Sequence, residues 1–476
     1  MAAKSGANLS RRLFLSGAAA VGAVGLGAAR AAPDPDVVII GAGFSGLRAA
    51  MALSEAGARV RLIEASQRVG GRVRTLDDVE HRPEGGGTEV GSSFTRLRGI
   101  IDRLGLSVRE RVGAGNQYGF YLGGEYVAPA DWEGSRLNHL PAPMRRVLPH
   151  QVEGYFMAMP NPLGAALDSW LDPTYAQFDI PFSDYLRGLG ANEQALEFLL
   201  RGEAVDSLDR LSALWMLRRD SARDLSRASE NHRAIQFVVG GMSRVPEAMQ
   251  ASLPFEIEFD RHVAAIRAGR NNIEVVCHDG AKYRAKHVIC TTPPPLTRMI
   301  AFDPGLPALH AEAVAFTPFG QGTSVMIPVR ERFWEIDGRP GGSWTDNNRL
   351  GRVMQLATPE GDYLWAYISG RANMAYRSMD DEGVKASVLA ELVRTRPAAE
   401  GRLGEAKVVN WSRAPFARGT FARAEPGQVS RFGGVLATPA HRRIHFAGEH
   451  VSLRASGIEG ALESGERAAH DVLTAL

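Results

Sequence analysis

The segment from Val37 to Glu64 constrains this chain more than any other. Val37-Val38-Ile39-Ile40 is an unbroken β-branched run, as in a parallel strand covered on both faces. It passes directly into Gly41-Ala42-Gly43-Phe44-Ser45-Gly46. Leu47 to Ala56 reads as a helix ended by Gly57, and Val60-Arg61-Leu62-Ile63 as a second strand closed by Glu64. The glycines have distinct physical roles. Gly41 permits a tight turn, Gly43 admits a pyrophosphate close to the backbone, and Gly46 lets helix and strand pack closely. The helix start offers free N–H groups and a positive dipole end to phosphates. Glu64 falls about 20 residues past the first glycine, where a carboxylate reaches ribose hydroxyls. An acid there repels a 2′-phosphate, which excludes NADP. The spacing therefore predicts an α/β, Rossmann-type dinucleotide-binding unit.

A chain of 476 residues, 45% hydrophobic and 23% charged, suffices for two or three domains with large cores and is not disordered, collagenous or disulfide-stapled. The formal charge of +2 includes Lys4, Arg11, Arg12 and Arg30 near the start, where no acid occurs before Asp34, so the remainder is nearly neutral. That balance predicts no nucleic-acid partner. Cys277 and Cys290 are the only cysteines, without a CxxC or HExxH pattern, so no metal site is expected. Ser10-Arg11-Arg12-Leu13-Phe14-Leu15, an apolar run from Gly17 to Ala29 and the small-residue stretch Ala29-Arg30-Ala31 resemble a twin-arginine export signal over residues 1–31. The resemblance implies a periplasmic or secreted protein, handled already folded by the twin-arginine export machinery.

The residues just past Glu64 narrow the ligand. Arg68-Val69-Gly70-Gly71-Arg72 resembles the glycine-pair motif of two-dinucleotide-domain flavoproteins, with Ser66 where an arginine is usual. Near the other end, Ile444-His445-Phe446-Ala447-Gly448-Glu449-His450 is an apolar strand ending in glycine and acid, and Ser456-Gly457-Ile458-Glu459-Gly460 opens the last helix. Glu89-Val90-Gly91-Ser92-Ser93-Phe94, Gly240-Gly241-Met242-Ser243-Arg244-Val245, Val263 before Ala264, the exit Cys290-Thr291-Thr292-Pro293-Pro294, Phe333-Trp334 and Trp411 complete a pattern similar to the flavin amine oxidase family. That resemblance implies FAD held by Gly41, Gly43, Ser45, Gly46, Glu64, Gly71, Arg72, Gly91, Ser92, Val263, Gly448, Glu449 and Ile458. It also implies an FAD-binding domain from residues 34–90, 233–295 and 412–476, and a mixed α+β substrate domain from 91–232 and 296–411. Helical patches are expected at Asn192 to Leu200 and Leu211 to Arg219.

The same resemblance outlines a substrate slot between two side chains standing on the flavin. Phe421 supplies one wall and Gly457 stands at the other, where relatives place a large ring; Trp411 belongs to the same segment. Thr420 occupies the position of a covalent-linkage cysteine in some members, so FAD is expected to be non-covalent. An apolar slot disfavours the charged form of an amine, whose ordinary pKa is about 10, and a neutral amine is what donates hydride. The implied reaction is oxidation of an amine to an imine at flavin N5, then hydrolysis to a carbonyl compound. Leu296 to Phe302 lacks the lysine that members commonly place after the proline exit, leaving Arg298 as the candidate charge and either oxygen or a periplasmic electron acceptor as oxidant. Alternatives are an L-amino-acid oxidase, with Arg96 and Arg98 near the Phe94 position, an amine dehydrogenase, a carotenoid-desaturase-like enzyme, and a flavin-binding protein without turnover.

Overall fold

A computed structural model of the protein describes residues 34–91, 93–110, 117–164, 166–228 and 235–476; the export-signal segment and Ser92 lie outside the described residues. A four-stranded parallel sheet takes its strands from three distant stretches, in the order Ile444–Phe446, His287–Cys290, Val37–Ile40, Val60–Ile63. Val37 pairs with both His287 and Val60, and every residue of Val37–Ile40 is buried, as its β-branched composition demands. Helices Phe44–Glu55 and Gly457–Ala475 pack in backbone contact: a Cβ on Gly465 would lie 2.3 Å from the Ser45 carbonyl oxygen. The first helix begins at Phe44, three residues before the expected start, because its first turn is built from the glycine-rich motif itself, which carries no helical hydrophobic period.

A second sheet, Lys282–Ala285, Ile273–Cys277, Val263–Ala268 and Ala301–Asp303, comes from the same region of chain. The largest sheet has seven strands, ordered Lys407–Val409, Gly322–Pro328, Gly361–Ser369, Arg352–Thr358, Gly342–Thr345, Tyr118–Leu122 and Glu125–Val127. Tyr118, Phe120, Trp344, Met354 and Tyr367 turn one face of it toward the helical region, where they pack with Phe156, Leu199 and Met216. Val325, Val353 and Ala366 turn the other face toward Val384, Val388 and Leu392 of helix Asp381–Thr395. In the helical region, Asn192 caps Glu193–Leu200 by accepting from the Ala195 amide, and the patch expected at Leu211 to Arg219 starts two residues later and runs further, as helix Ala213–Ala228. Among the described residues no helix is long and apolar enough to cross a membrane.

Candidate active site

The three glycines of the first turn do three different things. Gly41 has φ +104°, a region that favours glycine, and a Cβ there would lie 2.4 Å from Thr291 Oγ1. A Cβ on Gly46 would lie 1.9 Å from the Gly41 carbonyl oxygen. Gly43 is unlike both, since a Cβ there would meet nothing within 4 Å. The backbone therefore abuts itself at Gly41 and Gly46 and opens onto free space at Gly43, at the start of helix Phe44–Glu55. Gly71 closes the other side, its Cβ position 3.5 Å from Gly43 Cα. That cradle fits a pyrophosphate.

Glu64 lies beside it. Its carboxylate accepts from the Ala42 amide at 2.7 Å, the Ser66 amide at 2.8 Å and the Ser66 hydroxyl at 2.7 Å. Ser66 thus braces the acid. The amides of Glu64 and Arg261 bond Glu258 and Glu64 carbonyls, which brings the strand starting at buried Val263 alongside.

Residues almost the whole chain apart meet at Arg72. Its guanidinium donates to the Thr420 carbonyl at 2.6 Å and to Glu449 at 3.1 Å, and lies 5.3 Å from the Phe319 ring centroid. Glu449 also accepts from the Ala422 amide at 2.8 Å. Burial raises the Glu449 pKa, but the charge of Arg72, its neighbour His450 and the Ala422 bond outweigh it, so the acid stays below its usual range and ionised. Gly448 takes φ +141°, and a Cβ there would collide with the His450 ring at 2.4 Å.

Phe421 stands on the segment that Arg72 and Glu449 hold, and the buried Arg423 guanidinium lies 4.0 Å from its ring centroid. Trp411 donates through Nε1 to the Gly85 carbonyl at 3.0 Å. Gly457, φ +57°, has nothing within 4 Å of a Cβ, so it has a backbone reason to be glycine as well as open space. The next residue, Ile458, reaches to 3.3 Å of the Cβ position on Gly87. Gly91 packs on the Phe94 ring.

Arg298 does not join this group. It is exposed, and its guanidinium donates to the Val314 and Thr317 carbonyls, closing the end of helix Ala308–Phe316. Arg96 is bonded to Glu459 and Glu466, and Arg98 to Gln236 and the Gly91 carbonyl. Glu459 itself caps helix Thr95–Arg103 by accepting from the Arg96 and Leu97 amides.

Two features escaped the sequence. One is a partly buried ion chain: Glu203 pairs with Arg219 at 2.9 Å and with Arg423 at 2.7 Å, and Arg219 with Glu153 at 2.8 Å. Its members are spread over 270 residues, and no spacing links them. The other is Glu84, which accepts from the Met242 amide at 2.7 Å and Thr75 Oγ1 at 2.9 Å, tying the Gly240–Val245 turn to the cradle. An acid immediately before Gly85-Gly86 was the available signal.

Burial, with Asp77 adding to it, pushes the Glu84 carboxyl up to about 7 against the two bonds that favour its ion. A folded-state pKa above the unfolded value means that the native state holds this proton more tightly. The stabilisation is complete below the unfolded pKa near 4.5 and is lost as pH rises through 7. The loss is on the order of 3 kcal/mol. The Tm of the wild type minus that of Glu84→Gln is therefore expected to fall between about pH 5 and pH 8, with histidine contributions common to both cancelling. A pH-independent difference would refute it.

Comparison with known proteins bears on what this arrangement serves. The model of the flavin containing amine oxidoreductases matches residues 44–473. The flavin-containing amine oxidase B of Homo sapiens is 26% identical over 461 residues, covering 93% of this chain and 86% of that protein. An L-amino-acid oxidase of Siganus canaliculatus is 25% identical over 468 residues, covering 92% and 85%. Among solved structures, a putrescine oxidase redesigned in its cofactor binding superposes with a TM-score of 0.78 at 26% identity, covering 93% of this chain and 99% of the other. The cradle, the Arg72–Glu449 junction and a match running nearly end to end agree: the chain belongs to the flavin-containing amine oxidoreductase family, enzymes that use FAD to oxidise amines.

Proposed function

We propose that this protein oxidatively deaminates an amine that is bulky near its reacting carbon, within a slot between Phe421 and the open position at Gly457. The observation that supports the reading is the Arg72–Glu449–Ala422 junction, which joins the Phe421 segment to Arg72 and Glu449, while the open Cβ position at Gly457 supports the preference for bulk. Bound FAD supplies the hydride acceptor. The chain's own contribution is binding and placement. Glu64 would hold the adenosine ribose, Gly43 and Gly71 the pyrophosphate, Val263 the adenine, and Ile458 the flavin end. Phe421 and Trp411 would line a site in which an amine stays neutral by desolvation. The overall balance consumes amine, water and oxygen and yields a carbonyl compound, ammonia or a smaller amine, and hydrogen peroxide.

Anaerobic addition of an amine panel tests the reading: branched and cyclic amines are expected to bleach the flavin faster than short linear ones. Bleaching by amino acids alone would favour the L-amino-acid oxidase alternative, although Arg96 and Arg98 are already committed to protein partners. Gly457→Asn, which tolerates φ > 0, is expected to narrow the preference toward small amines. Thr420 offers no thiolate, so acid precipitation should release yellow FAD into the supernatant; flavin retained in the pellet would contradict non-covalent binding.

The domain division at 34–90, 233–295 and 412–476 against 91–232 and 296–411 belongs to the same proposal. So does export: changing Arg11 and Arg12 together to lysine should keep the protein in the cytoplasm, and unchanged periplasmic or extracellular activity would refute it.

A further inference from the structure

We infer that Arg218 and Arg219, adjacent on helix Ala213–Ala228, set the separation of the two slot walls and so act as positioning residues for substrate size. The inference deepens the amine-oxidase reading and rests on it for the identity of the slot. Neighbouring helical residues point about 100° apart, so one turn of helix can brace two different places.

Arg218 braces the turn between Glu449 and Gly457. Its Nη2 donates to the carbonyl oxygens of Ser452 and, at 3.0 Å, of Ala455. Trp170 Nε1 donates to the Leu453 carbonyl at 2.9 Å, and Arg454 pairs with Asp168 at 2.7 Å. The helical region thus grips four of the residues that lead to Gly457. Packing alone does not fix that turn: a cavity of about 50 Å³, lined in part by Trp170, Trp215, His450, Ser452 and Leu453, lies against it. The guanidinium that does the holding is itself fixed, 4.7 Å from the ring centroids of both Trp170 and Trp215, whose planes meet at 85°. Burial pushes the Arg218 pKa down only to about 10, so it keeps its charge at neutral pH.

Arg219 braces the opposite wall. It pairs with Glu203, Glu203 pairs with Arg423, and the Arg423 guanidinium lies on the Phe421 ring. Glu203 and Arg423 are almost fully buried, so this relay is shielded from solvent and has little room to rearrange. A lysine at 218 or 219 keeps the charge but has no planar fork to reach two acceptors or to stack between indoles.

The test uses the FAD-loaded enzyme with Arg218→Lys, Arg219→Lys and, as a milder probe that keeps the ring, Trp170→Phe. Hydrogen exchange at residues 451–457 is expected to quicken at least about tenfold in Arg218→Lys and Trp170→Phe, and at residues 420–423 in Arg219→Lys. KM for bulky amines should rise about tenfold in the two arginine variants, with kcat on small amines and FAD content little changed. Unchanged exchange in those segments, exchange quickened evenly over the whole molecule, or KM rising alike for small and bulky amines would overturn the inference. Should no amine reduce the wild-type flavin, the oxidase reading falls, while the exchange pattern still decides whether the two arginines brace these segments.

Discussion

Glu449→Ala is expected to yield a folded protein that loses its FAD on purification. Removing one partner of a partly buried ion pair leaves Arg72 with an uncompensated charge, a change that costs up to about 3–5 kcal/mol. It also strips the acceptor from the Ala422 amide, loosening the segment that carries Phe421. Cofactor affinity should fall by about 100- to 1000-fold, read as the ratio of flavin absorbance to protein absorbance and as the FAD concentration needed to restore activity. Glu64→Ala should act more gently, by about 10- to 100-fold, because a hydrogen bond to a charged group contributes about 1.5–3 kcal/mol. Full flavin occupancy in Glu449→Ala would remove the acid from the cofactor's surroundings.

The second large effect contrasts two glycines three residues apart. Gly46→Ala drives a methyl into the Gly41 carbonyl oxygen at 1.9 Å, and neither backbone atom can move without displacing the strand or helix it belongs to. It should cost several kcal/mol, enough to yield mostly insoluble protein from a marginally stable chain. Gly43→Ala meets no protein atom and sits at φ −74°, so the chain should fold with an unchanged Tm in the absence of cofactor. Its methyl would instead occupy the space onto which the cradle opens, and FAD binding should fall at least about 100-fold. Equal stabilities for the two apo-proteins, or normal FAD binding by Gly43→Ala, would contradict this division.

The first two strands of the parallel sheet were legible because their determinants are local. A β-branched strand, a glycine turn and a terminal acid succeed one another within a short stretch, and each is a consequence of backbone sterics. The elements proposed for the slot rest only on resemblance. Nothing in the periodicity of the 411–421 segment says that Phe421 faces a cofactor rather than a core. The Arg298 assignment illustrates the same limit: the sequence placed a cation after the proline exit, but its fate was decided by the carbonyls of Val314 and Thr317 at the end of a helix that folds over it. At Gly457 the resemblance implies a missing ring, and the left-handed backbone there supplies an independent reason for glycine that leaves no trace in residue spacing. The Glu203 ion chain was illegible because long-range charge pairing leaves no spacing signature.

The strand order of the parallel sheet has a temporal consequence. Strand Ile444–Phe446 lies at one edge beside His287–Cys290, and Glu449 comes three residues after it. During synthesis, the nucleotide-binding turn at Gly41 emerges early, yet it must wait for some 400 further residues before Arg72 meets its carboxylate. Throughout that interval the nascent chain exposes an unpaired sheet edge and an Arg72 without its carboxylate partner, a state prone to aggregate. If Glu449 holds the cofactor as proposed, cofactor capture should be a late event of biogenesis, and a ribosome stalled before residue 444 should hold a chain that FAD cannot rescue.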